Sequence, residues 1–159
     1  MAAQPPPISH ILETCLYVGD IGVSADFYKS VLRTEPFIQS PRVAGFNLGT
    51  TTLLLFQLGQ TSNDIITSNG GVIPGHGPSD SIISSLGSDN PSDRTYLKQH
   101  FCFAVDKPAD VVQWDAYLQK IGVPVTGRMD WDLGGKSVYF EDPDGHIGEV
   151  GSRGIWKHY

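Results

Sequence analysis

The sequence predicts an α+β fold in which two repeated βαβββ modules form a cupped mixed sheet. Three observations predict it. The order strand, helix, strand, strand, strand can be read twice along the 159 residues. ETCLYVGD at 13–20 overlays HFCFAVDK at 100–107 with an offset of 87 residues (100 − 13), and this puts Cys15 on Cys102 and Val18 on Val105. Further on, Glu35-Pro36-Phe37 overlays Val123-Pro124-Val125 at an offset of 88 (123 − 35). A repeat of this period implies two half-sheets that need each other to bury their apolar faces.

The first apolar run, Ile11 to Val18, has strand length and ends at Gly19-Asp20. A helix follows, with Asp20 or Ser24 as its N-cap. Phe27, Val31 and Leu32 share one face of it, and Pro36 is expected to stop it. Strands are expected around Phe37, over Val43–Leu48 and over Thr51–Gln57. Residues 58–98 are rich in Ser, Gly, Asn, Asp and Pro and show no periodicity, so they read as a linker or a lid. The pattern restarts with a strand over Phe101–Val105. Asp106 can cap a helix with Pro108 in its first turn; Val111, Trp114, Leu118 and Ile121 form its apolar stripe, and Gly122 ends it. Strands at Val123–Arg128 and Ser137–Glu141 precede the turn Asp142-Pro143-Asp144-Gly145, which leads into a last strand, Ile147–Val150. The expected organisation is a flexible lead-in (1–9), one domain (10–155) and a C-terminal tail (152–159). The domain contains module one (10–57), the insert (58–98) and module two (99–151).

A net charge of −6, with no cluster of Lys or Arg, argues against nucleic acid and anionic membrane as partners. No run is long and apolar enough for a membrane span, and the proline-rich start lacks the plan of a signal peptide. Two cysteines are too few for a disulfide framework. A reduced, cytoplasmic protein acting on a small molecule is the expectation.

Side chains alternate across a strand. Thr14, Leu16 and Val18, with Phe101, Phe103 and Val105 as counterparts, form the face that packs on the helices. Glu13, Cys15 and Tyr17 share the opposite face, as do His100, Cys102 and Ala104. The repeat therefore makes Glu13 and His100 equivalent. Glutamate is a poor strand former, and a carboxylate in an apolar strand needs a partner to offset its desolvation. Of four glutamates, Glu13 and Glu149 sit in such strands. With His100 they make an N/O set suited to one divalent ion, Zn, Ni, Mn, Fe, Co or Mg, leaving positions open for substrate. Spacing alone does not bring Glu149 to the other two. A solvated strand-edge Glu and a satisfied core His are the plain alternatives.

Three stretches, LYVGDIGVSADFYKSVL at 16–32, HFCFAV at 100–105 and VYFEDPDGHIGEV at 138–150, make the chain resemble the vicinal-oxygen-chelate superfamily. That superfamily includes glyoxalase I, fosfomycin-resistance transferases, extradiol dioxygenases, methylmalonyl-CoA epimerase and bleomycin-binding proteins. The resemblance implies a glyoxalase-like fold, and His100 and Glu149 as metal ligands. The first-module ligand, more often His or Gln in the family, is Glu13 here. A Glu-His-Glu set departs from the two-His, one-carboxylate set of the dioxygenases. The family's further ligand at the end of module one would fall on Leu55 (149 − 94), which cannot ligate, with Gln57 as a substitute.

The resemblance implies a metal-dependent, glyoxalase-like enzyme of lyase, isomerase or epimerase type that stabilises an enolate or oxyanion, with Glu13 or Glu149 moving a proton. The alternatives are a non-catalytic binding or resistance protein, a thiol transferase and a dioxygenase. His76, in the insert, is a candidate catalytic residue if the insert folds over the site, and otherwise a solvated loop histidine. Tyr17 and Tyr139 line the cavity or pack in the core. Arg128, with Lys136, binds an anionic substrate or is solvated. Trp131, with Trp156, forms a pocket wall or a dimer contact. His146 points away from the face of Glu149 and reads as structural. The resemblance also suggests a homodimer, with modules pairing within a chain or between chains.

Overall fold

The computed structural model describes residues 5–86 and 96–159. Module one comprises β1 (Glu13–Val18), α1 (Ile21–Leu32), β2 (Ile38–Gln39), β3 (Val43–Leu48) and β4 (Thr51–Gln57). The insert carries β5 (Ile65–Ile66), β6 (Val72–Ile73) and α2 (Asp80–Leu86). Module two comprises β7 (His100–Val105), α3 (Pro108–Lys120), β8 (Val125–Asp130), β9 (Lys136–Glu141) and β10 (Ile147–Ser152). Each module forms its own four-stranded mixed sheet, in the orders β1-β4-β3-β2 and β7-β10-β9-β8. In both, the first strand pairs in parallel with the last. The repeat is thus visible in the topology, and Glu13 and His100 open equivalent strands.

The helix boundaries depart from expectation in two places. Asp20 caps α1 by accepting from Val23 N at 2.9 Å, but the helix ends before Pro36: Arg33 adopts a left-handed φ of 56° and closes it. At α3 the capping position is Lys107 rather than Asp106; its N–H donates to Asp110 Oδ2 at 2.9 Å. Asp106 is engaged by Arg153 instead. Gly122, with φ +77°, follows α3 as expected.

The register corrects the assignment of one counterpart. Cys15 lies opposite Leu54, as Cys102 lies opposite Glu149, so Leu54 and not Leu55 occupies the place of Glu149 in module one. Leu55 pairs with Leu16 and is fully buried on the helix face. Gln57 pairs with Val18 on that same face. Its amide donates to Gly19 O at 2.6 Å and accepts from Ile21 N at 3.2 Å, tying β4 to the start of α1.

The apolar face expected from alternation is the core. Leu16, Val18, Ala44, Phe46, Leu53 and Leu55 pack with Ile21, Ala25 and Tyr28 of α1. Val138, Phe140 and Val150 pack with Val111 and Leu118 of α3. The Asp142–Gly145 turn of module two docks onto module one. Asp144 accepts from Gly19 N at 2.7 Å and from Ser24 Oγ at 2.6 Å, and Tyr28 donates to Asp142 at 2.7 Å. Burial and then the Asp142 charge hold the Tyr28 phenol well above its ordinary range, so it stays a donor. His146, fully buried, accepts from Gln99 N at 3.2 Å, and its Nε2 meets Tyr17 O at 3.0 Å. The Gln99 side chain accepts from Tyr17 N and donates to Cys15 O, taking the place of a neighbouring strand along β1. The modules therefore sit side by side, with their helix faces joined.

Asp144→Ala removes two charge-assisted hydrogen bonds across this junction. It should lower unfolding stability by about 2 kcal/mol, read as a shift of the urea midpoint at unchanged m-value.

Candidate metal centre

Glu149 is brought to His100 by strand pairing. β10 lies beside β7 with Glu149 opposite Cys102, and Glu149 also faces Tyr139 of β9. His100 Nε2 stands 3.3 Å from Glu149 Oε2; the histidine side chain is 52% exposed and the glutamate side chain 7%. The other imidazole nitrogen, Nδ1, contacts Ile147 O at 3.1 Å. A carbonyl only accepts, so Nδ1 carries the hydrogen. In the neutral ring, Nε2 then turns a bare lone pair toward a carboxylate oxygen. Two acceptors at this separation repel unless a cation, either a proton or a metal, lies between them.

The pair has metal-site dimensions. With bonds of about 2.1 Å to nitrogen and oxygen, a 3.3 Å separation subtends roughly 100° at the ion, between octahedral and tetrahedral angles. Outer contacts hold the carboxylate in place. Ser137 Oγ donates to Glu149 Oε1, and Trp131 Nε1 donates to Ser137 Oγ at 2.8 Å. Cys102 reaches solvent as a residue, yet its thiol lies against Gly151 and is pushed up to about 12, first by burial and then by the Glu149 charge. Tyr139 is raised by the same two causes. Both neighbours therefore keep their protons.

The third expected ligand lies elsewhere. Glu13 is exposed and opens onto a cavity of about 440 Å³ shared with Thr14, Cys15, Tyr17, Phe56 and His76. Neither His100 nor Glu149 lines that cavity. Among the described residues, no three His, Cys, Asp or Glu side chains come together closely enough to hold an ion.

The remaining candidates separate by face. Tyr139 stands beside the pair, its ring 6.3 Å from that of His100. Trp131 acts on Glu149 through Ser137, and its ring lies 6.4 Å from that of Trp156. Arg128 lies opposite Val138, on the helix face away from Glu149. Its guanidinium makes two bonds to Asp115, at 2.5 and 2.8 Å, and this holds the Asp115 carboxyl below its usual range. Lys136 pairs with Asp130. Gln57 is also on the helix face, bonded to Gly19 and Ile21. His76 does fold back from the insert, onto the open face of module one beside Tyr17 and not beside His100. The sequence reading did not single out Ser137 as the residue holding Glu149. Its place at i−12 on the neighbouring antiparallel strand was a signal only once the register was known.

The comparisons with known proteins agree with this architecture. A family model described as Glyoxalase/Bleomycin resistance protein/Dioxygenase superfamily matches residues 8–150. The metallothiol transferase FosB of Staphylococcus epidermidis is 26% identical over 140 residues, 87% of this chain and 78% of that protein. The crystal structure of a lactoylglutathione lyase from Agrobacterium tumefaciens matches with a TM-score of 0.75 at 29% identity, covering 96% of this chain and 99% of that one. A glyoxalase/bleomycin resistance protein/dioxygenase from Nocardioides shares the fold, with a TM-score of 0.64 at 17% identity and coverage of 93% and 85%.

Ser137→Ala leaves the buried Glu149 carboxylate and the Trp131 indole each short of a partner. It should cost about 1–3 kcal/mol in urea unfolding, with a change in intrinsic tryptophan fluorescence.

Proposed function

This chain belongs to the glyoxalase/bleomycin resistance protein/dioxygenase superfamily, and on that premise we propose that it is a divalent-metal-dependent, glyoxalase-like enzyme of lyase or isomerase type. The observation that carries the reading is the His100–Glu149 pair, whose imidazole Nε2 stands 3.3 Å from an oxygen of a buried carboxylate. His100, Glu149 and Glu13 would hold the ion, from the range Zn, Ni, Mn, Fe, Co or Mg, as an open N/O site. When bound, the ion supplies a Lewis acid for neighbouring oxygens of a small organic substrate.

The chain's own residues then divide the work. Ser137 fixes one oxygen of Glu149 and leaves the other toward His100. Ile147 O fixes the histidine tautomer. Glu13, exposed at the start of β1, is the ligand carboxylate that would also carry a proton to and from substrate carbon. Tyr17, Phe56 and His76 wall the space beside it.

Because Glu13 opens away from the pair, we place the complete site between two copies of the chain, with Glu13 of one facing His100 and Glu149 of the other. The exposed Ile11 and Leu12 leading into Glu13, 75% and 65% accessible, supply apolar surface for that contact. The shortness of its helices fits a protein that works in solution: none in the described residues is long and apolar enough to cross a membrane. We assign it to the cytoplasm, where free Cys15 and Cys102 stay reduced. Thiol transfer is the second reading, favoured by the match to a metallothiol transferase. Manganese-dependent consumption of a thiol, without isomerisation of a thiol adduct, would select it.

Metal titration of the metal-freed protein tests the site. His100→Ala and Glu149→Gln should each weaken binding roughly 100-fold or more, and Glu13→Gln should weaken it too. Unchanged affinity in all three variants overturns the assignment. The shared site has its own check. Glu13→Gln and His100→Ala chains, unfolded together and refolded as a mixture, should regain roughly a quarter of wild-type metal sites through mixed dimers. A site within one chain regains none.

A further inference from the structure

The insert delivers one side chain to the open face of module one with unusual backbone economy. His76 is flanked by Gly75 and Gly77, and both glycines are required by close approach. An added Cβ at Gly75 would lie 2.5 Å from Ser62 O. One at Gly77, whose φ is +100°, would lie 2.5 Å from Tyr17 Cε1. The backbone of His76 is clamped on both sides by buried Thr61: His76 N donates to Thr61 O at 2.8 Å, and Thr61 Oγ1 donates to His76 O at 2.7 Å. Gly75 N is held by Asp64 Oδ1 at 2.7 Å. A solvated loop histidine needs none of these restraints.

The ring is held as firmly as the backbone. Nδ1 lies 2.7 Å from Tyr17 Oη. The edge of the ring meets Phe56, with centroids 5.0 Å apart and planes at 67°. Tyr17 is itself immobilised, because its backbone is tied to module two through Gln99 and His146. The Tyr17 phenol is pushed up to about 12 by burial and by Cys15, so it keeps its proton across the working range. Its hydroxyl hydrogen is available to Nδ1 at 2.7 Å, and a bond donated from Tyr17 to Nδ1 places the ring hydrogen on Nε2. His76 lines the cavity that also contains Glu13.

Resting on the shared metal site proposed above, we infer that His76 is a substrate-binding hydrogen-bond donor, held by Tyr17 as the Nε2–H tautomer, and that its ligand is a planar, unsaturated carbonyl or enolate lying along Phe56. Neutral imidazole in this tautomer polarises an oxygen without giving up a proton. Charge building on that oxygen is met by a fixed dipole. The cavity volume of about 440 Å³ suits a small organic carbonyl compound.

Nitrogen-15 NMR of imidazole-labelled protein reads the tautomer directly, without substrate or metal. Wild-type His76 should be neutral Nε2–H near pH 8, and Tyr17→Phe should populate the Nδ1–H form. Wild-type His76 in the Nδ1–H form overturns the assignment. Phenylglyoxylate, titrated into the manganese-loaded protein, is the binding probe. His76→Phe, which keeps a ring of similar size, should weaken it about 5- to 10-fold, with Tyr17→Phe weakening it less and manganese affinity unchanged in both. Equal affinity of wild type and His76→Phe also overturns the inference. Failure of the metal site itself is separate: it appears as no manganese uptake, while the metal-free tautomer result still decides the role of Tyr17 and His76.

Discussion

The arrangement depends on the turn between β9 and β10 reaching across to module one. Asp142, Asp144 and His146 spend their hydrogen-bonding capacity on Tyr28, on Gly19 and Ser24, and on the Tyr17 carbonyl. These are directional bonds, buried at Tyr28–Asp142 and half-buried at Ser24 and Tyr17, where a partner would be costly to leave unpaired. They fix the two sheets side by side with the helix faces inward. The open faces of the two sheets are thereby kept apart, with Glu13 beside Tyr17 and His76 on one and His100 beside Glu149 on the other. The same turn that identifies the family in the sequence is thus the brace that orients the two halves.

Much of the fold was legible because it is periodic. Alternation in ETCLYV and HFCFAV assigned the faces, and the 87-residue offset assigned the equivalence of Glu13 and His100, which open β1 and β7. Where contacts depend on register between strands, sequence spacing ran out. An offset counted along the chain pointed to Leu55, whereas pairing places Leu54 opposite Cys15. The shift of a single residue moves a side chain from the open face to the core. Arg128 shows the same limit: its sign suits an anion, but only the pairing with Val138 reveals that it stands on the helix face beside Asp115. Ser137 carried no signal by itself, since a serine in a strand becomes the partner of Glu149 only through two neighbouring pairings.

The insert was the least legible segment because its order comes from glycine and side-chain bonds and not from periodicity. Thr61, Asp64 and the two glycines around His76 make local restraints that leave no hydrophobic pattern. The long segment is thereby anchored to module one, and its one histidine is delivered to a defined place. Residues 87–95 of the insert lie outside the described part of the chain.

One feature of α1 bears on how the protein comes apart. Ile21, Ala25 and Tyr28 belong to the core of module one, while Val31, one turn further on, is buried with Val111 and Leu118 in the core of module two. Tyr117 of α3 secures that last turn by donating to Ser30 O at 2.6 Å. A single helix is therefore common property of both halves. A chain that carries an internal duplication nonetheless has no seam along which to melt: opening either half strips surface from the other, and the two lose their structure in one cooperative step.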